Sequence, residues 1–250
     1  MLSLYFSVNS KSKLIMQKTF YSYLIPFCVA LILSWIAIER TDFSYQKIAI
    51  PLTFEGQEPE SRDILSILDQ PFRFLGKGRQ SFVFESEDRM TVLKFFNKKY
   101  FQIPWYAFAF PKERIKRGQR EFFYLNSYKI AEKFFSRETA MLYLHTGKTK
   151  GLPHVKLTDR ASRSFHLNLN DIPFVLQRKG EPLYAALEAI YKKEGAEGVL
   201  PVLDAFLGLI ANRIAMGIGD TDHDVEHNFG FLDGKPFHID PVSYTHLVWG

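Results

Sequence analysis

The sequence predicts an α+β fold of two lobes, a β-rich N-terminal lobe and a shortened helical C-terminal lobe, preceded by one transmembrane helix. Three observations predict this fold class. A stretch of 19 uncharged residues lies near the N-terminus. Bulky residues alternate in 71–96 and 153–178, as they do in strands. Apolar residues recur at helical spacing in 112–147 and 182–216.

The composition is that of a folded protein and excludes several kinds of site. Apolar residues make up 46% of the 250 residues, and 24 Phe with 12 Tyr supply side chains that bury large areas. Cys28 is the single cysteine, which excludes an intrachain disulfide and a cysteine-based zinc site. The net charge of +5 suits an acidic partner such as phosphate or anionic lipid. No dense basic stripe with interleaved aromatic residues stands out, so no nucleic-acid partner is expected.

Residues 20–38 are predicted to form a membrane anchor. At about 1.5 Å rise per residue they span roughly 28 Å, close to the hydrocarbon thickness of a bilayer. Tyr21, Tyr23 and Trp35 lie near the two ends, where aromatic rings favour the interface. A cleaved signal peptide and a buried core helix are the alternatives. The lysines of the basic segment 1–19 predict a cytoplasmic N-terminus, which would place the rest of a single-pass protein outside the cytoplasm.

The remaining chain divides into three parts. Residues 39–70 are expected to be a linker with short local structure, 71–180 the β-rich lobe with a hinge at its end, and 181–250 the partial C-terminal lobe. The dipeptide Asp233-Gly234 lies between short apolar runs and predicts a hairpin. Residues 243–247 look like translated cloning-adapter sequence, which would mean that the natural C-terminus is missing.

A glycine-rich turn lies between two strand-like runs. Gly76, Gly78 and Ser81 are small residues at the spacing of a loop whose backbone N–H groups approach phosphate oxygens, and Val83 follows on the next strand. Alone, such a turn is more often an ordinary hairpin. Lys94 lies eleven residues after Val83 in an otherwise apolar strand, where an ammonium is costly unless paired. An edge-strand lysine that reaches solvent is the alternative.

The densest group of polar residues is 219–231. Asn228 lies near the end of this acidic loop, and Asp240 closes an apolar run twelve residues later, with the predicted hairpin between them. Because amide and carboxylate oxygens are ligands that Mg²⁺ accepts, these two residues predict a magnesium site.

The same loop supports other interpretations. Asp222 and Asp224 are candidate general bases on either side of His223. The run from His223 to His227 also matches H-x-x-E-H, the inverted zinc-peptidase motif, although the neighbouring glycines and hairpin disfavour the helix that this chemistry needs. A calcium loop fails because its sixth position is Val225 rather than glycine. A solvated acidic loop without a site is the remaining alternative.

These motifs together resemble the protein-kinase-like superfamily, and so does the order of strands and helices. The resemblance covers roughly residues 70–242 and implies ATP and Mg²⁺ as cofactors. It implies that Lys94 holds the α- and β-phosphates and that Glu138 on the following helix pairs with this lysine, with Glu132 and Glu121 as rival partners. It also implies that backbone groups near Gln177 and Lys179 meet adenine. The residues that carry the resemblance are Gly76, Gly78, Lys94, Glu138, Asn228 and Asp240.

More narrowly, parts of 127–145, the run 174–177 and the stretch from Asp220-x-Asp222 to Asn228-Phe229-Gly230 look similar to an uncharacterised, membrane-anchored family of intracellular bacteria. We therefore expect a membrane-anchored phosphotransferase that acts on an unknown acceptor, with Asp222 or Asp224 as the base. A catalytically inactive pseudokinase is the alternative, because His223 occupies the position at which the superfamily carries its catalytic aspartate. The membrane orientation conflicts with a supply of ATP, and the sequence does not resolve that conflict.

Overall fold

The computed structural model describes residues 20–35, 43–222, 224–241 and 244–246. The chain divides into two units, 1–42 and 43–250. In the first unit, the described part of the predicted anchor is a helix, α1 (Phe20–Trp35), whose side chains are exposed. The last residues of the predicted anchor, 36–38, lie outside the described residues.

The centre of the second unit is a seven-stranded sheet in the order β4-β7-β3-β2-β1-β5-β6. Neighbouring strands are antiparallel except for β1 and β5, which are parallel. The strand-like alternation in the sequence correctly predicts six of these strands, because each buries aromatic or branched side chains on at least one face. The strand bounds are β1 Phe72–Lys77, β2 Ser81–Ser86, β3 Thr91–Phe96, β4 Met141–His145, β5 His154–Thr158, β6 Ser164–Asn168 and β7 Phe174–Arg178.

Both faces of the central strands are covered. One face carries a large aromatic and aliphatic core, in which Phe82, Phe84 and Phe95 are fully buried. The other face carries Phe96 and Val175 and packs against the helix that precedes β4. Because β3 is covered on both sides, all six of its residues are buried, including Lys94.

The segment predicted to be a linker contributes to the first core. Phe43, Ile48 and Leu68 are buried among the sheet residues, and Leu68 ends helix α2 (Arg62–Leu68). Ser61 caps this helix by accepting a hydrogen bond from the Asp63 backbone N–H. Residues 43–70 are therefore part of the compact unit.

Four helical segments connect β3 to β4, and they correct part of the helical prediction for 112–147. They are α3 (Lys98–Phe101), a 3-10 helix (Trp105–Ala109), α4 (Pro111–Gly118) and α5 (Arg120–Phe135). After α5 the chain turns and then enters β4, which was predicted to be helical. The turn forms because Thr139 Oγ donates to the Phe135 carbonyl and the Met141 N–H donates to the Ser136 carbonyl.

The C-terminal part combines a long helix with two small sheets. Helix α6 (Leu183–Ala215) packs on a sheet of order β11-β10-β8, and β10 and β11 form the predicted hairpin around Asp233-Gly234. The second small sheet pairs β9 with β12. A short helix, α7 (Val225–Asn228), precedes β10. The strands are β8 Glu181–Pro182, β9 Ile218–Asp220, β10 Phe229–Leu232, β11 Lys235–His238 and β12 Tyr244–His246.

By length and composition, one described helix is long and apolar enough to cross a membrane, and it is α6 rather than α1. Gly195 interrupts α6 with φ of 69° and ψ of −160°, a backbone conformation confined almost entirely to glycine. The interruption divides α6 into two shorter helices, and Val202 on the second is buried against Phe229 of the hairpin sheet.

Candidate functional site

Lys94 lies in the middle of the sheet on the face that α5 covers. Its strand neighbours are Val83 on β2 and Val175 on β7, and Val83 in turn pairs with Gly76 on β1. The glycine-rich turn and Lys94 are therefore joined by one row of paired residues across three strands. The side chain of Lys94 is only 4% exposed.

The ammonium of Lys94 binds a backbone carbonyl close to a carboxylate. Lys94 Nζ donates a hydrogen bond of 2.7 Å to the carbonyl oxygen of Ile239. Burial lowers the pKa of Lys94, and the neighbouring charge of Asp240 partly offsets that effect. Residues 145 positions apart in the sequence thus converge at one point.

The glycine-rich turn connects β1 to β2. The Gly78 N–H donates a 2.9 Å hydrogen bond to the carbonyl of Ser81, the first residue of β2. A Cβ atom added at Gly76 would meet no atom within 4 Å, and one at Gly78 would meet only Ser81 atoms at 3.9 Å. Neither glycine has the positive φ that would require glycine. The chain itself therefore leaves open space beside both glycines.

Asn228 and Asp240 lie on adjacent segments. The Ile239 N–H donates a 2.7 Å hydrogen bond to the Asn228 carbonyl, which brings the residue before Asp240 against Asn228. Asn228 is 5% exposed, and its Nδ2 has no hydrogen-bond partner among the described residues. A buried amide without a partner is unusual, because leaving it unpaired costs about 1–3 kcal/mol. The two predicted metal ligands are thus brought together, and one has unused hydrogen-bonding capacity.

Tyr128, on α5, is a site residue that the sequence reasoning missed. Its hydroxyl donates a 2.8 Å hydrogen bond to Asp240 Oδ1. Burial raises the pKa of Tyr128 well above its usual value, and the Asp240 charge raises it further, so the phenol stays protonated and donates. Tyr124 lies one turn earlier on the same buried face, and the spacing of these two tyrosines was the available signal.

Glu138 does not occupy the place expected for it. It lies in the turn between α5 and β4 rather than on the helix, and its backbone carbonyl accepts a 2.7 Å hydrogen bond from the His238 N–H. Its side chain lines a separate pocket of about 800 Å³ with Arg137 and Arg178. Among the described residues, Lys94 forms no ion pair with Glu138, and Tyr128 is the α5 residue that reaches Asp240.

Gln177 supports the site through its side chain. Its Nε2 donates hydrogen bonds to the carbonyls of Thr139 and Ile239, the latter at 3.0 Å. It thereby holds the same carbonyl that Lys94 contacts. The backbone N–H of Lys179, a group that the sequence placed near adenine, instead donates to the Met90 carbonyl at 2.9 Å.

The two candidate bases, Asp222 and Asp224, differ in the hydrogen bonds that their carboxylates accept. Asp224 caps α7 by accepting from the His227 N–H at 3.2 Å, and its Oδ2 lies 3.0 Å from His227 Nδ1. These hydrogen bonds lower the pKa of Asp224. Asp222 is exposed, and within the described part of the chain its carboxylate accepts one hydrogen bond, from the Asp224 N–H at 3.1 Å. Asp222 is therefore the less engaged of the two carboxylates.

A buried ion pair between α6 and β9 supports the start of the acidic loop. The side chains of Arg213 on α6 and Asp220 on β9 form an ion pair. His238 Nε2 lies 3.2 Å from Asp220 Oδ2, and the imidazole stacks on Tyr244 with ring centroids 5.0 Å apart. Burial lowers the pKa of His238. Because Asp220 Oδ1 accepts from the Asp222 N–H at 3.0 Å, this group fixes the start of the acidic loop.

The structure gives no support to the zinc-peptidase interpretation. Helix α7 has only four residues, and His227 lies on it at 74% side-chain exposure with Asp224 as its partner. His223 lies outside the described residues. Within the ranges that the structure describes, no three His, Cys, Asp or Glu side chains are grouped so that they could hold a metal ion.

Comparison with known proteins identifies no family. No protein-family model matches the chain, and no curated protein matches it. Three solved structures of WbdD are similar, among them the "bifunctional kinase-methyltransferase WbdD" and a co-crystal with a kinase inhibitor. Their identities are 16–18% and their TM-scores 0.39–0.41, and they cover 70–84% of this chain. The chain spans about a third of the length of these proteins, 34–38%. No role of any residue is transferred from them.

Proposed function

We propose that the chain is a kinase-like protein that binds Mg-ATP beside Lys94 and transfers phosphate to an acceptor. The observation that carries the proposal is the convergence of Lys94, Asn228 and Asp240. Lys94 lies far from the other two in the sequence, and the Ile239 backbone joins all three through one hydrogen bond to Lys94 and one to Asn228. The proposed fold is correspondingly that of a two-lobed kinase.

The residues present fit the proposed cofactors. The side-chain oxygens of Asn228 and of the half-buried Asp240 would hold Mg²⁺, which would neutralise phosphate charge. Open space beside Gly76 and Gly78 would allow phosphate oxygens to approach the turn. Lys94 would exchange its bond to the Ile239 carbonyl for bonds to phosphate, so the cleft must open around this buried side chain when nucleotide binds.

Three further side chains have proposed roles in positioning the site or in catalysis. Tyr128 and Gln177 would fix Asp240 and the Ile239 carbonyl in place, and Asp222 would accept the proton of the acceptor hydroxyl. Asp222 is preferred to Asp224 because the carboxylate of Asp224 already caps α7 and pairs with His227.

A pseudokinase that binds nucleotide without transferring phosphate is the second candidate function. The absence of an ion pair between Lys94 and a carboxylate of the described residues favours it, since active kinases use a Lys–Glu pair to position the lysine. A phosphotransfer assay decides between the two candidates.

The assay uses the full chain, radiolabelled ATP and a cell lysate as the source of acceptors. Asp222→Asn should lower the rate by about 10²–10⁴, the range typical of a general base, while Asp224→Asn should cost little because asparagine also caps a helix. Asp240→Asn, which replaces a charged metal ligand by a neutral amide, sets the background. Transfer by the wild type no higher than this background, with ATP still bound, would leave only the pseudokinase.

We further infer that α1 anchors the chain in a membrane. Its exposed apolar side chains need a nonpolar environment, and the sequence continues uncharged to residue 38. The lysines that precede it would place the compact unit outside the cytoplasm, whereas ATP is a cytoplasmic substrate. A reporter that is active only in the cytoplasm, fused after residue 42, should stay silent if the charge rule holds. Activity of that reporter would reverse the proposed orientation.

A further inference from the structure

Residues 98–123, which connect β3 to the first turn of α5, expose a set of side chains that neither the core nor the proposed function uses. Six of these side chains are aromatic, and Trp105 reaches 85% exposure. Several exposed aromatic groups in one segment are unfavourable in water, because each could bury a large apolar area. The exposed aromatic residues are Trp105, Tyr106, Phe108, Phe110, Phe122 and Phe123.

The same surface carries the chain's excess positive charge. Residues 98–123 contain seven Lys and Arg and two Glu, a net charge of 7 − 2 = +5, which equals the formal net charge of the whole chain. The segment is thus a basic stripe with interleaved aromatic residues, contrary to the expectation from the sequence. Its charges lie among the rings: the Arg114 guanidinium is 5.0 Å from the Phe108 ring centroid, and that of Arg117 is 6.0 Å from that of Tyr106.

A cationic pocket opens where this surface meets the candidate site. The pocket has a volume of about 680 Å³ and lies between the glycine-rich turn and the start of the acidic loop, at Thr221. Four cations line it, and no acidic residue among those described does: Arg79, Lys112, Lys116 and Arg120. A pocket of this charge favours an anionic group.

We propose that residues 98–123 lie on the surface of an anionic lipid bilayer and that the cationic pocket takes the anionic head group of a lipid. Aromatic rings prefer the interface between head groups and acyl chains, and each Lys or Arg near an anionic membrane adds to the attraction. Residues 98–123 contain both exposed aromatic rings and basic side chains within one connection. The inference rests on this surface alone and does not depend on ATP binding or phosphotransfer.

A membrane fits this surface better than a nucleic acid does. Phe108, Phe110 and Ile115 have no hydrogen-bonding groups in their side chains and gain most from an acyl environment. Proteins that bind single strands arrange their aromatic residues along a basic groove that follows the phosphate backbone. Here one of the exposed rings, Phe123, lines the pocket, as a ring of an interfacial segment beside a head-group site would.

The test places a probe on this surface in the full chain. In a Cys28→Ser background, Phe110→Cys is labelled with a fluorophore that reports on polarity, and the protein is reconstituted into vesicles. Arg160→Cys, an exposed position in the turn between β5 and β6, carries the matched control label. In vesicles that contain phosphatidylglycerol the Phe110 label should shift to the blue and be quenched by brominated lipid, whereas the Arg160 label should not respond.

The second readout is how the response of the Phe110 label depends on the charge of the lipids and of the protein surface. In vesicles of phosphatidylcholine alone the Phe110 response should be much weaker. Replacing Lys112, Lys116 and Arg120 by glutamine should lower the equilibrium constant for docking of this surface on the bilayer, measured from the Phe110 response, about fivefold per charge, or about a hundredfold in total. Circular dichroism checks that this triple variant is folded, and Phe108→Ser with Phe122→Ser provides a variant that removes aromatic area but no charge.

Three results would overturn the proposal. One is a Phe110 label that stays in water in anionic vesicles, and another is an equal response in neutral vesicles. The third is a response to single-stranded RNA or to inorganic phosphate in detergent without a response to vesicles, which would assign the surface to a soluble anion. An ATP titration on the same vesicles tests the proposed function separately, because a failure of either measurement leaves the other intact.

Discussion

Lys94 and Asp240 are the pair of residues on which the site depends. The lysine is buried, and burial lowers its pKa, so its place in the sheet is costly for the folded chain. The Ile239 carbonyl and the nearby Asp240 carboxylate reduce that cost. A buried ammonium with one backbone partner retains further hydrogen-bonding capacity, since it has three donors. Lys94 therefore has the properties of a residue that binds a ligand more than those of a residue that only stabilises the fold.

At this scale the contact between Tyr128 and Asp240 gives the first prediction. Because the phenol donates to a carboxylate, Tyr128→Phe should lower the free energy of unfolding by about 1–3 kcal/mol, and a double-mutant cycle with Asp240→Ala should show a coupling of similar size. Chemical denaturation measures both quantities. Tyr128→Phe combined with Asp222→Ala is the matched control, and its two effects should add. Additive effects in the Asp240 cycle would show that the hydrogen bond contributes nothing.

At the scale of elements, α6 illustrates how one residue shapes a helix. Gly195 adopts a backbone conformation that other residues avoid. Gly208, in the second half of α6, has no such conformation, and a methyl group added at its Cα would meet no atom within 4 Å. The two glycines of one helix should therefore respond in opposite ways to the same substitution.

We expect Gly195→Ala to destabilise the protein by about 1–3 kcal/mol, because alanine must adopt the strained conformation or straighten the helix. Gly208→Ala should stabilise it by about 0.5–1 kcal/mol, because alanine lowers the entropy of the unfolded chain and favours a helix. Thermal unfolding of the two variants, under conditions matched to the wild type, measures both effects. If Gly195→Ala is neutral, α6 is not interrupted at this residue.

The elements also show what the sequence can and cannot predict. Alternation and helical spacing predict the strands around Lys94, the long helix after β8 and the hairpin at Asp233-Gly234, because each depends on local patterning. The strand β4 was wrongly predicted to be helical, since its short apolar run continues the spacing of α5 until hydrogen bonds from Thr139 and Met141 close the turn.

Long-range packing decides the part of the site that the sequence missed. Asn228 and Asp240 were predicted from spacing, and the structure brings them together. Glu138 was predicted as the best-fitting carboxylate of the following helix, but α5 ends at Phe135, which places Glu138 in a turn where it lines a separate pocket. Tyr128 emerges only when α5 is packed on the sheet, because no local pattern links it to a residue 112 positions later.

At the scale of the whole molecule, three surfaces meet at one end of the sheet. The glycine-rich turn, the acidic loop and the basic aromatic segment 98–123 all border the pocket that ends at Thr221. In the proposed function, nucleotide would bind on the Lys94 side of the turn; in the separate membrane proposal, a lipid head group would bind on the pocket side. The proposed function requires that nucleotide binds beside Lys94.

Calorimetric titration of the full chain with Mg-ATP tests this claim most directly. We predict binding at micromolar to millimolar strength, with about 2.7 kcal/mol of stabilisation at a ligand concentration about one hundred times the Kd. Lys94→Ala should abolish the binding heat, while Lys156→Ala, which removes an exposed lysine from β5, should leave it unchanged. A folded wild type that gives no heat at millimolar Mg-ATP, or a Lys94→Ala variant that binds as the wild type does, would contradict the proposed nucleotide site.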